Sequence, residues 1–281
     1  MMNARKPGFY IRTILLYVFL IILALACILP FWLMIVNASR SGVEITKSFS
    51  FLPGKNFAEN WKALFGYVNL FRGLFNSIIV AVPATILTGY FSAITAYAMA
   101  MYNFKGNKWL FKIIVVFMMI PGQLSLIGFY NLCQALHMVN SYVPLIIPAI
   151  ASPGIVFFLR QYVQSSLSKS LLEAARIDGA SELKIFHSIV IPIISPGIAT
   201  MSIGTFIGNW NNYLTPLILL NDPDKMTLPV MLTTLNAATD LQKNQGAIYL
   251  GVAISVIPIL IVFCFCSKYI ISSISAGGVK E

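Results

Sequence analysis

Stretches without any charged residue set the layout of this chain. No Asp, Glu, Lys or Arg occurs in 13–39, 73–104, 113–159, 185–221 or 244–267. A helix needs about 20 apolar residues to cross the hydrocarbon of a bilayer. Four of the stretches each hold one such helix, and the 47-residue stretch 113–159 holds two. Its most polar part, Asn131 to Ser141, marks the turn between them. The pattern predicts six spans near 13–36, 74–101, 109–130, 143–163, 189–219 and 246–270, in one membrane domain covering 1–281.

Composition agrees with this pattern. Of 281 residues, 58% are hydrophobic and 10% charged, with a mean hydropathy of +0.82. Soluble domains carry about a quarter charged residues, so a soluble enzyme, a disordered tail and a collagen-like rod are excluded. Four scattered cysteines do not make a disulfide framework. An even number of spans puts both termini on one side of the membrane. That side receives 12 basic residues: Arg5, Lys6, Arg12, Lys105, Lys108, Lys112, Arg160, Lys169, Arg176, Lys184, Lys268 and Lys280. The other side receives the remaining 7 of the 19. The positive-inside rule therefore predicts cytoplasmic termini. The net charge of +10 reflects loop placement and contact with anionic lipid rather than nucleic-acid binding. Ala24-Leu25-Ala26-Cys27 has the form of a lipoprotein cleavage site, but the apolar run continues through Val36, too long for a cleaved signal.

The predicted span cores contain no Asp, Glu, Lys or Arg, the usual marks of proton relays and ion sites. His137 falls in a turn and His187 at a helix start. No HExxH, GxSxG or Walker A motif occurs; Gly54-Lys55 lacks the required context. Cys264 and Cys266 read as small apolar residues rather than a metal site. The reading is a non-enzyme, with no catalytic residue and no metal. Prolines in or beside the spans, among them Pro121, Pro144, Pro148, Pro153, Pro196 and Pro258, predict kinks that suit a transport path. Gly204 and Gly208, four apart, predict a close-packing helix face.

Residues 168–197 carry the most organised pattern. Ser170 and Glu173 have capping-box spacing, predicting a helix over 171–177. Asp178-Gly179 predicts a turn with glycine at positive φ, and Ser181 a cap for a helix over 182–191. Pro192 marks the start of the fifth span. Leu172, Ile177, Leu183 and Phe186 are the expected apolar contacts. By its residues alone this helix–turn–helix either docks in a partner's groove or lies on the lipid surface.

Glu173-Ala174-Ala175, three residues, Gly179, nine residues and Ile189-Val190-Ile191-Pro192 resemble the EAA signature of ABC importer permeases, with Ile191 in place of leucine. Phe75-Asn76-Ser77, Trp210-Asn211, Asp222-Pro223-Asp224-Lys225, Thr227-Leu228-Pro229-Val230 and the tail Ala276 to Lys280 extend the likeness to the carbohydrate-uptake, maltose-type class. The resemblance implies an all-α membrane fold of the type I ABC importer kind, six transmembrane helices with a cytoplasmic coupling helix in the loop 168–192. It implies one half of a sugar-translocation pore in a bacterial cell membrane. Glu173, Ala174, Ala175, Asp178, Gly179 and Pro192 would contact the ATPase, and Gly277, Gly278 and Lys280 would reach into the ATPase dimer.

The implied partners are a second, different permease chain, an ATPase dimer and an extracytoplasmic sugar-binding protein. ATP and Mg would be used by the ATPase, with no cofactor on this chain. The outer loop 221–245 would meet the binding protein. Asn209, Trp210, Asn211 and Asn212 bring amides and an aromatic face to the fifth span, as a sugar path needs. Asn209 and Asn212, three apart in the fifth span, share a face, and the same residues would serve helix–helix hydrogen bonding or anchoring at the interface. A permease for another solute and a secondary carrier or channel are the alternatives.

Overall fold

The computed structural model describes residues 7–237 and 244–278, with side chains described over 10–237 and 244–267. The described residues form helices and turns without strands. They are α1 (Pro7–Ala38), α2 (Gly42–Lys47), α3 (Phe57–Tyr67), α4 (Leu70–Met101), α5 (Asn107–Met118), α6 (Leu126–Ala135), α7 (Val143–Ile146), α8 (Pro153–Ser166), α9 (Lys169–Ile177), α10 (Glu182–Ile185), α11 (Ile191–Trp210), α12 (Leu214–Leu219), α13 (Leu228–Ala237) and α14 (Gln245–Gly278). Five helical stretches are long and apolar enough to cross a membrane, and six if the bent pair α5–α6 is one crossing. This is the expected all-α membrane architecture.

Some prolines mark breaks in the crossings, whereas Pro30, Pro83, Pro196 and Pro258 lie inside unbroken helices. α5 and the segment Gly122–Ala135 meet at 87° around Pro121-Gly122, so the span expected near 109–130 is two helices. Proline has no amide to continue the ladder and disfavours helix in the residue before it. The fourth crossing is interrupted likewise. α7 gives way to a 3₁₀ turn at Ile147–Ile150, and α8 begins at Pro153. The Ala149 carbonyl in that break accepts the Thr88 hydroxyl of α4 at 2.8 Å, replacing a helical bond. In the fifth crossing, Phe186–Val190 forms a π turn in which the Ile191 amide reaches back to the Phe186 carbonyl. The amide that Pro192 lacks explains this widening.

Two compact units emerge. The first comprises Met1–Leu70 and Leu232–Val256. Within it, α1 buries none of its most apolar window, as expected of a lipid-facing helix. Beyond α1, Arg40 is buried and its guanidinium donates to the carbonyls of Glu44 and Ser48, both at 2.7 Å. Asn60, also buried, donates to the carbonyls of Ala38 at 2.8 Å and Arg40 at 3.0 Å. Gly246 fits against this knot, where a Cβ would collide with the Arg40 carbonyl and the Asn60 amide.

The second unit comprises Phe71–Met231 and Ile257–Glu281. Its core joins Ala93, Ala96 and Tyr97 of α4 to Leu159 and Val163 of α8 and Ile194 of α11. The same core takes in Leu172 and Ala175 of α9, with Ile185, Phe186 and Val190 from the start of the fifth crossing. The expected close-packing face at Gly204 and Gly208 is open: among the described residues, nothing lies within 4 Å of a Cβ built on either. Close approach occurs instead at Gly197, where a Cβ would lie 2.8 Å from the Tyr162 ring of α8. The π turn resets the helical phase before α11, so spacing within α11 alone does not show which glycine meets α8.

Candidate functional site

The loop over 168–192 is a helix, a tight turn and a second helix, packed onto the second unit. α9 starts two residues earlier than expected: Ser168 occupies the N-cap position without a side-chain cap bond, and the Ser170–Glu173 capping box is not formed. The Ser168 and Ser170 hydroxyls instead bond each other at 2.6 Å. α9 ends in a Schellman arrangement. The Ala180 amide donates to the Ala175 carbonyl and the Gly179 amide to the Arg176 carbonyl, both at 3.0 Å. That geometry places Gly179 at φ +77°, where a residue with a Cβ is strained. Ser181 caps α10 as expected, its hydroxyl accepting the Lys184 amide at 3.4 Å.

One side of this loop is rooted and the other is free. Leu172, Ala175, Ile185 and Phe186 are buried in the core. Ile177 and Leu183, the other two expected apolar contacts, are 86% and 65% exposed. The turn carries Ile177 to the tip, and Leu183, one turn before Phe186, lines the open rim of a cleft shared with Ile94 and Tyr97. Glu173, Ala174, Asp178, Gly179 and Pro192 are exposed too, so Ala175 alone of the six coupling candidates is buried. The loop therefore presents a mixed face of Glu173, Ile177, Asp178 and Leu183 on a base fixed to three spans.

A polar tie that the motif does not indicate closes the turn. Arg176 Nε donates to Glu182 Oε1 at 2.7 Å, bridging α9 and α10. The Tyr102 hydroxyl donates to Glu182 Oε2, and the Tyr97 and Tyr102 hydroxyls lie 3.2 Å apart. The Glu182 hydrogen bond holds the Arg176 guanidinium well above its ordinary pKa. An ion pair this exposed contributes at most about 1 kcal/mol alone, but it links the loop to the end of α4. Opposite charges six residues apart across a glycine turn were the available signal.

The amide cluster is split by a break in the fifth crossing. α11 ends at Trp210, so Asn209 and Asn212 do not share a helical face. Asn212 instead accepts the Thr215 amide at 3.4 Å at the start of α12. Asparagine competes in this way for local amides and favours helix ends. Trp210 is buried beside Phe206, with ring centroids 5.5 Å apart, and Asn211 is exposed. The Asn209 amide nitrogen is shielded and has no hydrogen-bond partner.

Two motifs far apart in sequence meet at the α4 end that carries Arg72. Asn76 is buried and donates to the carbonyls of Asp224 at 2.8 Å and Met226 at 2.9 Å. Ser77 Oγ accepts the Leu228 amide at 2.8 Å. Asn140, at φ +62°, accepts the Asp222 amide at 3.2 Å and receives Lys225 Nζ on its carbonyl at 3.0 Å. The 222–228 segment is thus held by side chains from α4 and the 136–142 turn. Residues 238–243 of the expected outer loop, and Lys280 of the tail, lie outside the described residues; Gly277 and Gly278 close α14. Among the described residues no cluster of His, Cys, Asp or Glu could hold a metal.

Comparisons with known proteins agree with this architecture. The family model for binding-protein-dependent transport system inner membrane components matches residues 85–275. The chain is 32% identical to the arabinooligosaccharides transport system permease protein AraQ of Bacillus subtilis, over 99% of this chain and all of that protein. It is 29% identical to the melibiose/raffinose/stachyose import permease protein MelC of the same organism, over 92% of this chain and 94% of that one. In fold it resembles a chain from the crystal structure of a bacterial ABC transporter importing the acidic polysaccharide alginate. That match has a TM-score of 0.81 at 24% identity and covers 96% of this chain and all of that one. With bent, proline-broken crossings and an organised loop leading into the fifth, the chain belongs to the binding-protein-dependent transport system inner membrane components.

Proposed function

We propose that this permease is one half of the pore of an ATP-driven sugar or oligosaccharide importer, coupled to a separate ATPase subunit through the 168–192 loop. The observation that carries the proposal is the two-sided loop: a buried base on α4, α8 and α11 and an exposed face of Glu173, Ile177, Asp178 and Leu183. A cleft that changes shape when ATP is bound would grip that face, and the buried base would carry the displacement into the spans. Such a contact differs between the two states, which is what shifting their populations requires. ATP and Mg would act in the ATPase dimer. A second, different permease chain would complete the pore. Cytoplasmic termini would place the loop on the ATP side.

Sugar is the favoured cargo because similar permeases are named for arabinooligosaccharides and for melibiose, raffinose and stachyose. The long charge-free stretches within the crossings also suit a neutral polyol. Asn209, Trp210, Asn211 and Asn212 are the candidate path residues, with the unpartnered Asn209 amide the first to test. An extracytoplasmic binding protein would deliver the sugar to the side bearing the 222–228 segment. Co-purification of an ATPase subunit, with uptake of labelled oligosaccharide that depends on ATP hydrolysis, tests the reading. Glu173→Lys should preserve insertion and basal ATP hydrolysis while abolishing uptake. Unchanged uptake by that variant, or uptake driven by an ion gradient without an ATPase, would contradict it.

A further inference from the structure

A cleft of about 600 Å³ lies where the end of α4, the start of α5, the last turns of α8 and the start of α9 converge. Three cations line it, Lys108, Arg160 and Lys169, with the side chains of Asn103 and Gln164. No carboxylate among the described residues pairs with any of the three, the one described ion pair being Arg176–Glu182. Arg160 is the built element. Its guanidinium carbon sits 4.1 Å from the centroid of the Phe111 ring, which fixes the side chain, and its Nε is shielded with no hydrogen-bond partner. The Arg160 side chain lines the cleft, and a guanidinium held there forms charge-assisted hydrogen bonds with an anionic oxygen.

The position favours a lipid as the source of that oxygen. Arg160 lies six residues before the end of α8, about 9 Å along the helix axis, and a long basic side chain near a span end reaches toward the membrane interface. Trp109, 70% exposed, lines the same cleft, as indole does at membrane interfaces. α5 has no buried residue, and Leu110, Val116 and Phe117 continue outward along it as exposed apolar surface. That surface offers acyl chains a track leading away from the cations, which free phosphate would not use. We infer that the α4–α5–α8 cleft is a binding site for the phosphate of an anionic phospholipid, held by Arg160, Lys108 and Lys169.

The test is native mass spectrometry of the purified, delipidated transporter titrated with phosphatidylglycerol, phosphatidylcholine or inorganic phosphate. Each basic side chain at a lipid headgroup contributes about a fivefold factor in affinity. Phosphatidylglycerol should bind tightest. Arg160→Gln should weaken it about fivefold, and the Lys108→Gln/Lys169→Gln pair about 25-fold. Lys105→Gln, which removes one positive charge close to the cleft at a residue that does not line it, should stay within about twofold. The lysine pair is exposed, so it keeps the test valid if Arg160→Gln disturbs packing on Phe111. Phosphatidylcholine binding as tightly as phosphatidylglycerol, or equal losses in Lys105→Gln and the lysine pair, would overturn the proposal. Inorganic phosphate binding as tightly as the lipid would overturn the lipid assignment.

Discussion

Truncating Leu172 to alanine should detach the loop from its base without altering its exposed face. Leu172 is 2% exposed and packs in the core with residues of α4, α8 and α11. A buried leucine-to-alanine change costs about 2–5 kcal/mol, depending on how far the site collapses. α9 has nine residues, too few to hold helical structure without that packing. A loss of about 3 kcal/mol, at 1.4 kcal/mol per tenfold, raises the open population about 100-fold. Amide hydrogen exchange over 169–177 in the purified transporter should accelerate by that factor, and sugar taken up per ATP hydrolysed should fall. Leu171→Ala, at a position 42% exposed, should leave exchange within about threefold, since exposed truncations cost about 0.5 kcal/mol. Unchanged exchange in Leu172→Ala, or equal acceleration in both variants, would refute the rooted loop.

Gly179→Ala should cost about 1–2 kcal/mol through its positive φ alone, because the space around it is open; Gly179→Asn should cost less, and thermal melts in detergent would rank them. Gly197→Val should lower the melting temperature by forcing Tyr162 aside, at about 1–3 kcal/mol, whereas Gly204→Ala should not. Asn76→Ala leaves the Asp224 and Met226 carbonyls short of a donor, a loss of about 1–3 kcal/mol; limited proteolysis should then cut 222–228 faster than in the unaltered protein.

What the sequence revealed and what it hid have separable causes. Charge-free stretches locate the crossings because hydrocarbon excludes ions along a whole helix, whatever its neighbours. Gly179 and Ser181 were legible because a positive φ and a capping hydroxyl are local requirements. The pattern fails where a distant element decides. Ser168 displaces Ser170 as the first helix boundary because Leu172 and Ala175 orient α9 by burial. The apolar pattern does not separate Ile177, which the turn carries to the surface, from the buried Leu172. Asn212 leaves its predicted helical face to bond the Thr215 amide. The Arg176–Glu182–Tyr102 tie joins three segments, and only the fold brings Tyr102 to the carboxylate.

The most direct test of the account is photo-crosslinking from the loop tip in the assembled transporter. A photo-reactive side chain in place of Ile177, 86% exposed, should capture the ATPase subunit in a yield that changes between ATP-bound and ATP-free states. The same side chain in place of Phe265, 73% exposed on α14, should not capture it. Capture of lipid alone from position 177, or equal ATPase yields from both positions, would contradict the claim that this face meets the motor.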